Sequence, residues 1–458
     1  MNFSFVRQLP SSTLLALFPL LIFSYLPVIS LGMAFGVHLD ISLLYGALVL
    51  VFLINIPVFW KQRSILLSSV AWKCGTAFLG FIWISCLYSS NPFRAVVTAS
   101  FFTLVFGIFS AILIHSPVLL KQKNTIIRFV SASVACISLL ALWQVIADAL
   151  HISPTLSLLP TMYNGDTFGV ARPTAFALEP QFLGSLLLVP FIYSVYRFIT
   201  RTSRSDVLFF GAVTVVLFLT LSRGALLGAF IGLVLLLLLV RPSIKAIMRL
   251  LLTGIISAVI TIAVIGFAGS IRQDSISGYG ATNNVINQLS LGIISLPPER
   301  VDTKSTKTES SSPSATSSQS GYVESSTNSR LSMNTEALQI WNSSSSTLLF
   351  GVGIGGFGAS LHARNNAPES SVVNNFYLEL LAETGVVGTV LFLCFVGALI
   401  YTGMKSRQYV LVSLVAAFLM QWCFFSGISN VTHVWIIFGL LAALTTHPVK
   451  NKHTALSI

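Results

Sequence analysis

Apolar residues gather into twelve runs separated by short polar or charged stretches: about 11–31, 40–60, 65–88, 95–114, 126–148, 174–196, 207–222, 224–240, 250–268, 384–402, 409–428 and 434–446. A helix crosses the hydrocarbon core with roughly 20 mostly apolar residues. The pattern therefore predicts an all-α polytopic membrane protein with about 12 transmembrane helices. The first run follows a single arginine, Arg7, and lacks a small-residue cleavage site, so it reads as a spanning helix and not as a signal peptide. One large polar loop, 269–375, separates a membrane domain over 1–268 from a second membrane portion over 376–458. The middle of that loop, 303–329, is mostly Ser, Thr, Lys, Glu and Gly; it is too poor in apolar side chains to build a core and is expected to be disordered. After it, Leu331, Leu338 and Trp341 recur at helical spacing, which predicts a short amphipathic helix on the membrane surface.

Composition agrees with this picture. Charged residues make up 9% of the chain, against about 25% in soluble domains. The net charge of +12 invites a nucleic-acid reading, but the basic residues fall in short clusters between apolar runs, with no interleaved aromatic–basic patch. Orientation follows from those clusters. With both termini in the cytoplasm, every inward loop is positive, and 16 of the 26 lysines and arginines face inward, or 17 with Lys73. Of the 14 acidic residues, only Asp206 lies in an inward loop. All five cysteines sit inside apolar runs, so neither a disulfide nor a cysteine metal site is expected.

Four segments carry candidate chemistry. Arg223 stands between two apolar runs, on the side where positive charge is normally avoided. An ionisable group there lines a polar cavity or snorkels from a tight turn to the headgroups. Glu179 is read as lying about two turns into the sixth helix, before Pro180, which would bend it. It is either a functional acid or one half of a structural salt bridge with Arg172 or Arg223. Gly351, Gly353 and Gly356 have dinucleotide-fingerprint spacing without the strand–helix unit that motif requires. They form a tightly turning loop, a nest of amides for a pyrophosphate, or both. Glu379 and Glu383 share a helical face. Such a pair can supply a general base, although for Glu383 the better reading is an acid at a helix N-terminus.

The order of these motifs resembles the O-antigen ligase and polymerase superfamily: Arg172-Pro and Glu179-Pro, then Leu-Ser-Arg223-Gly, Arg330 to Trp341, Phe350-Gly-Val-Gly, and Asn375-Phe-Tyr-Leu-Glu-Leu-Leu-Ala-Glu-Thr-Gly. Asn-Pro-Phe-Arg94 after the third helix is similar as well. The resemblance implies a multi-pass protein of the bacterial inner membrane whose large loop is periplasmic. It would handle glycans carried on undecaprenyl pyrophosphate, with no metal, no cofactor and no nucleic acid. Arg223 and Arg330 would grip the donor pyrophosphate, with Arg172 and Asn375 as further binding residues. Ligases of the family carry a histidine before the position of Asn375; here that residue is Asn374, which cannot take a proton near neutral pH. This weakens the ligase reading and leaves Glu179 and Glu379 as candidate catalytic bases, with His362 a loop alternative. The expectation is a polysaccharide polymerase that joins lipid-linked repeat units, with the bilayer and a chain-length regulator as partners. The alternatives are a ligase acting on lipid A–core or protein and, from a different class, a membrane transporter.

Overall fold

Every apolar run contains a helix in the computed structural model, which describes all residues except 1–2, 35–36, 166–169, 202, 273–285, 287–317, 428–430 and 447–458. The first nine are α1 (Phe3–Leu20), α2 (Leu43–Lys61), α3 (Val70–Ser85), α4 (Pro92–Lys121), α5 (Lys123–Ala149), α6 (Pro180–Thr200), α7 (Arg204–Leu219), α8 (Arg223–Val240) and α9 (Ile244–Arg272). The large loop holds α10 (Ser318–Trp341), α11 (Ser345–Phe350) and α12 (Phe357–Asn365), and the chain closes with α13 (Phe376–Lys405), α14 (Tyr409–Gln421) and α15 (Thr432–Thr446). Among the described residues, eight helices are long and apolar enough to cross a membrane: α2 to α6, α8, α9 and α13. Of the other four, α7, α14 and α15 are shorter and the apolar part of α1 is only Ser11–Leu20, so length and composition support eight spans where the sequence pattern gives twelve. Leu50, Leu53 and Ile56 on α2 and Leu251, Ile255 and Val259 on α9 are exposed. Apolar surface on this scale suits a hydrocarbon solvent.

Several boundaries differ from the sequence reading, α13 starting at Phe376 and not near 384 and α4 running on to Lys121 among them, and three further differences change the picture. Helix α1 stops at Leu20 instead of running on to residue 31, and Val28–Ala34 and Val37–Ser42 pair as an antiparallel hairpin. The N–H groups of Tyr25 and Leu26 donate to the carbonyl of Phe176, Pro27 has none to give, and the β-branched residues that follow favour a strand. Among the described residues the hairpin is the exception to an otherwise helical fold. Helix α6 begins at Pro180, not near 174, so Pro180 starts the helix and does not bend it. Proline suits that first position because its missing N–H would have no intrahelical partner. Helix α10 begins at Ser318, so 318–329 of the stretch expected to be disordered is helical, while 303–317 lies outside the described residues.

The core is rich in aromatic rings. Phe395 stacks on Trp435 with centroids 5.9 Å apart, and Phe376, Phe392 and Trp422 pack edge-on or tilted around them. Helices α8 and α14 meet through Gly224, Gly228 and Gly232. A Cβ on Gly228 would lie 2.5 Å from the Ala417 carbonyl oxygen. Small residues every fourth position let two apolar helices touch along their backbones. That contact fixes the helix whose first residue is Arg223.

Candidate active site

Arg223 emerges from a strained turn. Helix α7 ends at Leu219, the buried Leu221 adopts φ +48°, and α8 starts at Arg223. A left-handed leucine costs about 1–2 kcal/mol. Arg172 holds the turn: its Nε donates to the Thr220 carbonyl at 3.2 Å and its Nη2 to that of Leu221 at 3.4 Å. Those oxygens face no intrahelical donor at the end of α7, and a guanidinium is well matched to them. Arg172, expected to bind substrate, thus spends donors on positioning Arg223.

The strand of chain leading to Glu179 is also pinned from beneath. Gln144, fully buried in α5, accepts the N–H groups of Thr174 and Ala175 through Oε1 at 2.9 and 2.8 Å. Its Nε2 donates to the Leu158 carbonyl at 2.8 Å. Glu179 is the residue before α6 and its side chain makes no cap bond. It therefore stands at the helix entrance, not two turns inside. Gln181 donates to its carboxylate. Burial pushes the Glu179 carboxyl above its ordinary range, opposed by the Gln181 hydrogen bond and the fields of Arg172 and Arg330.

Arg330 reaches this group from α10. The helix packs inward through Met333, Ala337 and Ile340, against Phe357, Leu361, Val373 and Ala382. Leu331 and Leu338, the sequence-predicted face, are exposed. Arg364 of α12 steadies it further, donating to Gln339 at 2.6 Å and pairing with Glu336 at 3.8 Å. Arg330 is close enough to Arg223 for the two cations to repel, and close enough to Glu179 to attract it. Among the described residues, neither the Arg223 nor the Arg330 guanidinium has a hydrogen-bond or ion-pair partner. Two half-buried, mutually repelling guanidinium groups with free donors make an anion site.

A second group forms nearby. Asn91 caps α4 by accepting the Arg94 N–H at 3.0 Å, and Arg94 donates from Nη1 to the Glu369 carbonyl at 2.9 Å while facing both Glu379 and Glu383. Glu383 is fully engaged: Oε2 accepts Gly355 N–H at 2.8 Å and Oε1 accepts Phe357 N–H at 3.3 Å. Of the two readings of the glycine loop, a tight turn or a nest for a pyrophosphate, the structure shows amides that hold an internal carboxylate. Ser89 braces the same loop by donating to the Ile354 carbonyl at 2.9 Å. Asn375 caps α13, its Oδ1 accepting from Tyr377 and Leu378 at 3.0 and 3.2 Å. Glu379, one turn further on, is half-buried beside Arg94 and the Gly427 amide. His362 turns Nδ1 to the Ala367 carbonyl at 2.8 Å.

The structure thus joins Glu179, Arg172, Arg223 and Arg330 in one cluster and sets Glu379 and Asn375 with Arg94 in another. The end of α14 lies between them: Gln421 donates to the Gln181 carbonyl at 3.1 Å, and Phe425 offers its carbonyl to the Phe376 N–H at 3.0 Å. Gln144, Gln181 and Gln421 have no counterpart in the sequence reading. Their signal was present as lone uncharged polar residues in or beside apolar runs.

A family model described as O-Antigen ligase matches residues 207–393. The matched stretch includes Arg223, Arg330, the glycine loop, Asn375, Glu379 and Glu383; Arg172 and Glu179 precede it. No curated protein matches the chain. Proteins of the matched family are glycosyltransferase-like membrane enzymes acting on lipid-linked glycans. With its motifs falling in this order inside a helical membrane architecture, the chain is similar over residues 207–393 to the O-antigen ligase family.

Proposed function

We propose that the protein is a polysaccharide polymerase of the bacterial inner membrane. In this reading all twelve apolar helices cross the bilayer, both termini are cytoplasmic, and the clusters around Arg223 and Glu379 open to the periplasm. The donor is a glycan on undecaprenyl pyrophosphate, and the acceptor is a sugar hydroxyl of another lipid-linked repeat unit. The observation that carries the reading is the facing pair Arg223 and Arg330, free of partners among the described residues and adjacent to the Glu179 carboxylate.

The chemistry follows from that arrangement. Glu179 takes the proton of the acceptor hydroxyl as its oxygen attacks the anomeric carbon. The bond from that carbon to the pyrophosphate oxygen breaks, and the lipid pyrophosphate departs with the bonding electrons. Arg223 and Arg330 stabilise the charge that develops on it, where each forked donor set matches phosphate oxygens. Glu179 supports this role better than Glu379 because it lies in the field of Arg330, which in turn lies close to Arg223. Asn374, where ligases carry a histidine, favours transfer between repeat units over transfer to lipid A–core.

Purified protein given lipid-linked repeat units alone should form ladders of polymer, and a deletion strain should retain single-repeat surface material. Loss of all attached glycan in that strain, with no polymer from the purified protein, would identify a ligase instead. A chain-length regulator is the expected partner and would alter the ladder's modal length.

A further inference from the structure

Away from both clusters, an open groove runs along α5 and α6 and is closed behind by α14 and α15. It consists of two hollows of about 730 and 780 Å³ that share Ile126, Val130, Val189, Pro190, Ile437 and Leu440. Its walls are almost wholly apolar. At one end, past Ile127 and Tyr193, it meets a polar hollow of about 800 Å³ that contains Lys123, Arg128, Arg197 and Arg201.

We propose that this groove with its basic mouth is a binding site for an anionic membrane phospholipid, acyl chains in the groove and phosphate among Arg128, Arg197 and Arg201.

Charge is the first argument. Four cations gather at the mouth, and Asp206, which pairs with Arg197 at 2.6 Å, offsets one of them. Among the described residues the Arg128 and Arg201 side chains have no hydrogen-bond or ion-pair partner, and the buried Nε of Arg197 has none either. A buried N–H without an acceptor is a standing penalty that a phosphate oxygen removes. A zwitterionic headgroup would bring its own cation into this cluster, whereas an anionic one would not.

Length is the second argument. Leu186 lines the groove's far end and Arg201 its mouth, a separation of about 22 Å along α6 at 1.5 Å per residue. One leaflet with its headgroups is about 20–22 Å thick. The site is thus matched to a lipid of a single leaflet. That leaflet lies at the end of α6 opposite Glu179, so its headgroup is on the other side of the membrane from the Arg223 and Arg330 pair. The glycan donor and this lipid would not compete.

The test is native mass spectrometry of the full chain extracted from bilayers of equal phosphatidylglycerol and phosphatidylcholine. Wild type should retain phosphatidylglycerol at least tenfold over phosphatidylcholine. The double substitution Arg128→Gln with Arg201→Gln should bring that ratio close to one. Val130→Trp, or Val189→Trp should the first fail to fold, fills the groove with the mouth intact and should lose the bound lipid. Thermal melting within a few degrees of wild type identifies the folded variants. Equal retention of both lipids by wild type would overturn the proposal. So would undiminished phosphatidylglycerol on the folded tryptophan variants, which would mean surface attraction without a groove, or a polyprenyl phosphate as the retained species.

Discussion

The Glu383 carboxylate accepts the Gly355 N–H through Oε2 at 2.8 Å, and its other oxygen takes the N–H of Phe357. The carboxylate joins α13 to the glycine-rich loop and leaves no room in those amides for a substrate phosphate. Hydrogen bonds to a buried charged group contribute about 1.5–3 kcal/mol each. Glu383→Ala should therefore lower the melting temperature and the amount of folded protein. Glu383→Gln, which keeps one acceptor oxygen, should fall between. A Glu383→Ala protein of unchanged melting temperature and lost activity would show that the carboxylate serves the reaction and not the loop.

Arginine identity should matter at positions 223 and 330. Lysine keeps the charge but loses the forked geometry. Each lysine variant should retain partial polymer synthesis, and each alanine variant should lose on the order of 100-fold, the size of effect seen when one donor to a developing anion is removed. Steady-state rates on purified protein at matched abundance provide the check, and near-wild-type rates in both alanine variants would remove the basis of the mechanism.

Arg172→Ala acts one step further out. It frees the carbonyls of Thr220 and Leu221 and releases the left-handed Leu221, so Arg223 should lose its fixed position. The expected readout is a destabilisation of about 1–3 kcal/mol together with a raised KM for the donor. A change in kcat alone, at unaltered stability, would contradict a positioning role.

Glu179 makes two linked forecasts. Its carboxyl is pushed upward by burial, so as the base it must lose its proton at a higher pH than an ordinary carboxylate. The acid limb of the rate profile should lie correspondingly high and disappear with Glu179→Gln, along with nearly all transfer. Stability runs the other way. The folded state holds this proton more tightly than the unfolded chain, so the group's contribution is present at low pH and is lost as pH rises through its folded value. Glu179→Gln should accordingly melt no lower than wild type at neutral pH; a marked drop would support a structural salt bridge instead.

Orientation has its own test. Phosphatase and galactosidase fusions at Ser343 and Ser203 should report opposite compartments, with phosphatase active only at Ser343. The reverse pattern would place the arginine pair on the cytoplasmic side.

The helices were legible in the sequence because twenty apolar residues in a row have few other stable states in a bilayer. Their ends were less so. Pro180 inside an apolar run reads as a kink, whereas the chain before it is held out of the helix by the Gln144 bonds to Thr174 and Ala175, thirty residues away, and Pro180 starts the helix. The exposed face of α10 misled for a related reason: Leu331 and Leu338 are more apolar than Ala337, but inward packing against Phe357 and Leu361 favoured the smaller side chain. Arg223 and Arg330 could be picked out singly, as charges where charge is expensive. Their mutual approach depends on α10 docking, which no local pattern encodes. Glu383 reads in the sequence as an acid at a helix N-terminus, but α13 starts at Phe376, two turns earlier, and the amides it holds belong to the glycine loop, a distant contact that no local pattern encodes.

Gly351 and Gly385 leave a genetic signature. Both adopt positive φ, at +73° and +63°, and Gly385 interrupts the helical backbone of α13. A Cβ on Gly351 would sit 2.3 Å from the Glu383 carbonyl carbon, and one on Gly385 would sit 2.3 Å from that of Leu349. Each glycine thus meets the main chain beside the other, and main chain cannot shrink to make room. In an ordinary core contact an enlarged residue can be rescued by trimming its neighbour, so the two positions drift together. Here no second-site change at the facing position restores the space. In a saturation library the two positions should therefore be intolerant separately, and suppressors selected against either substitution should map elsewhere or revert to glycine.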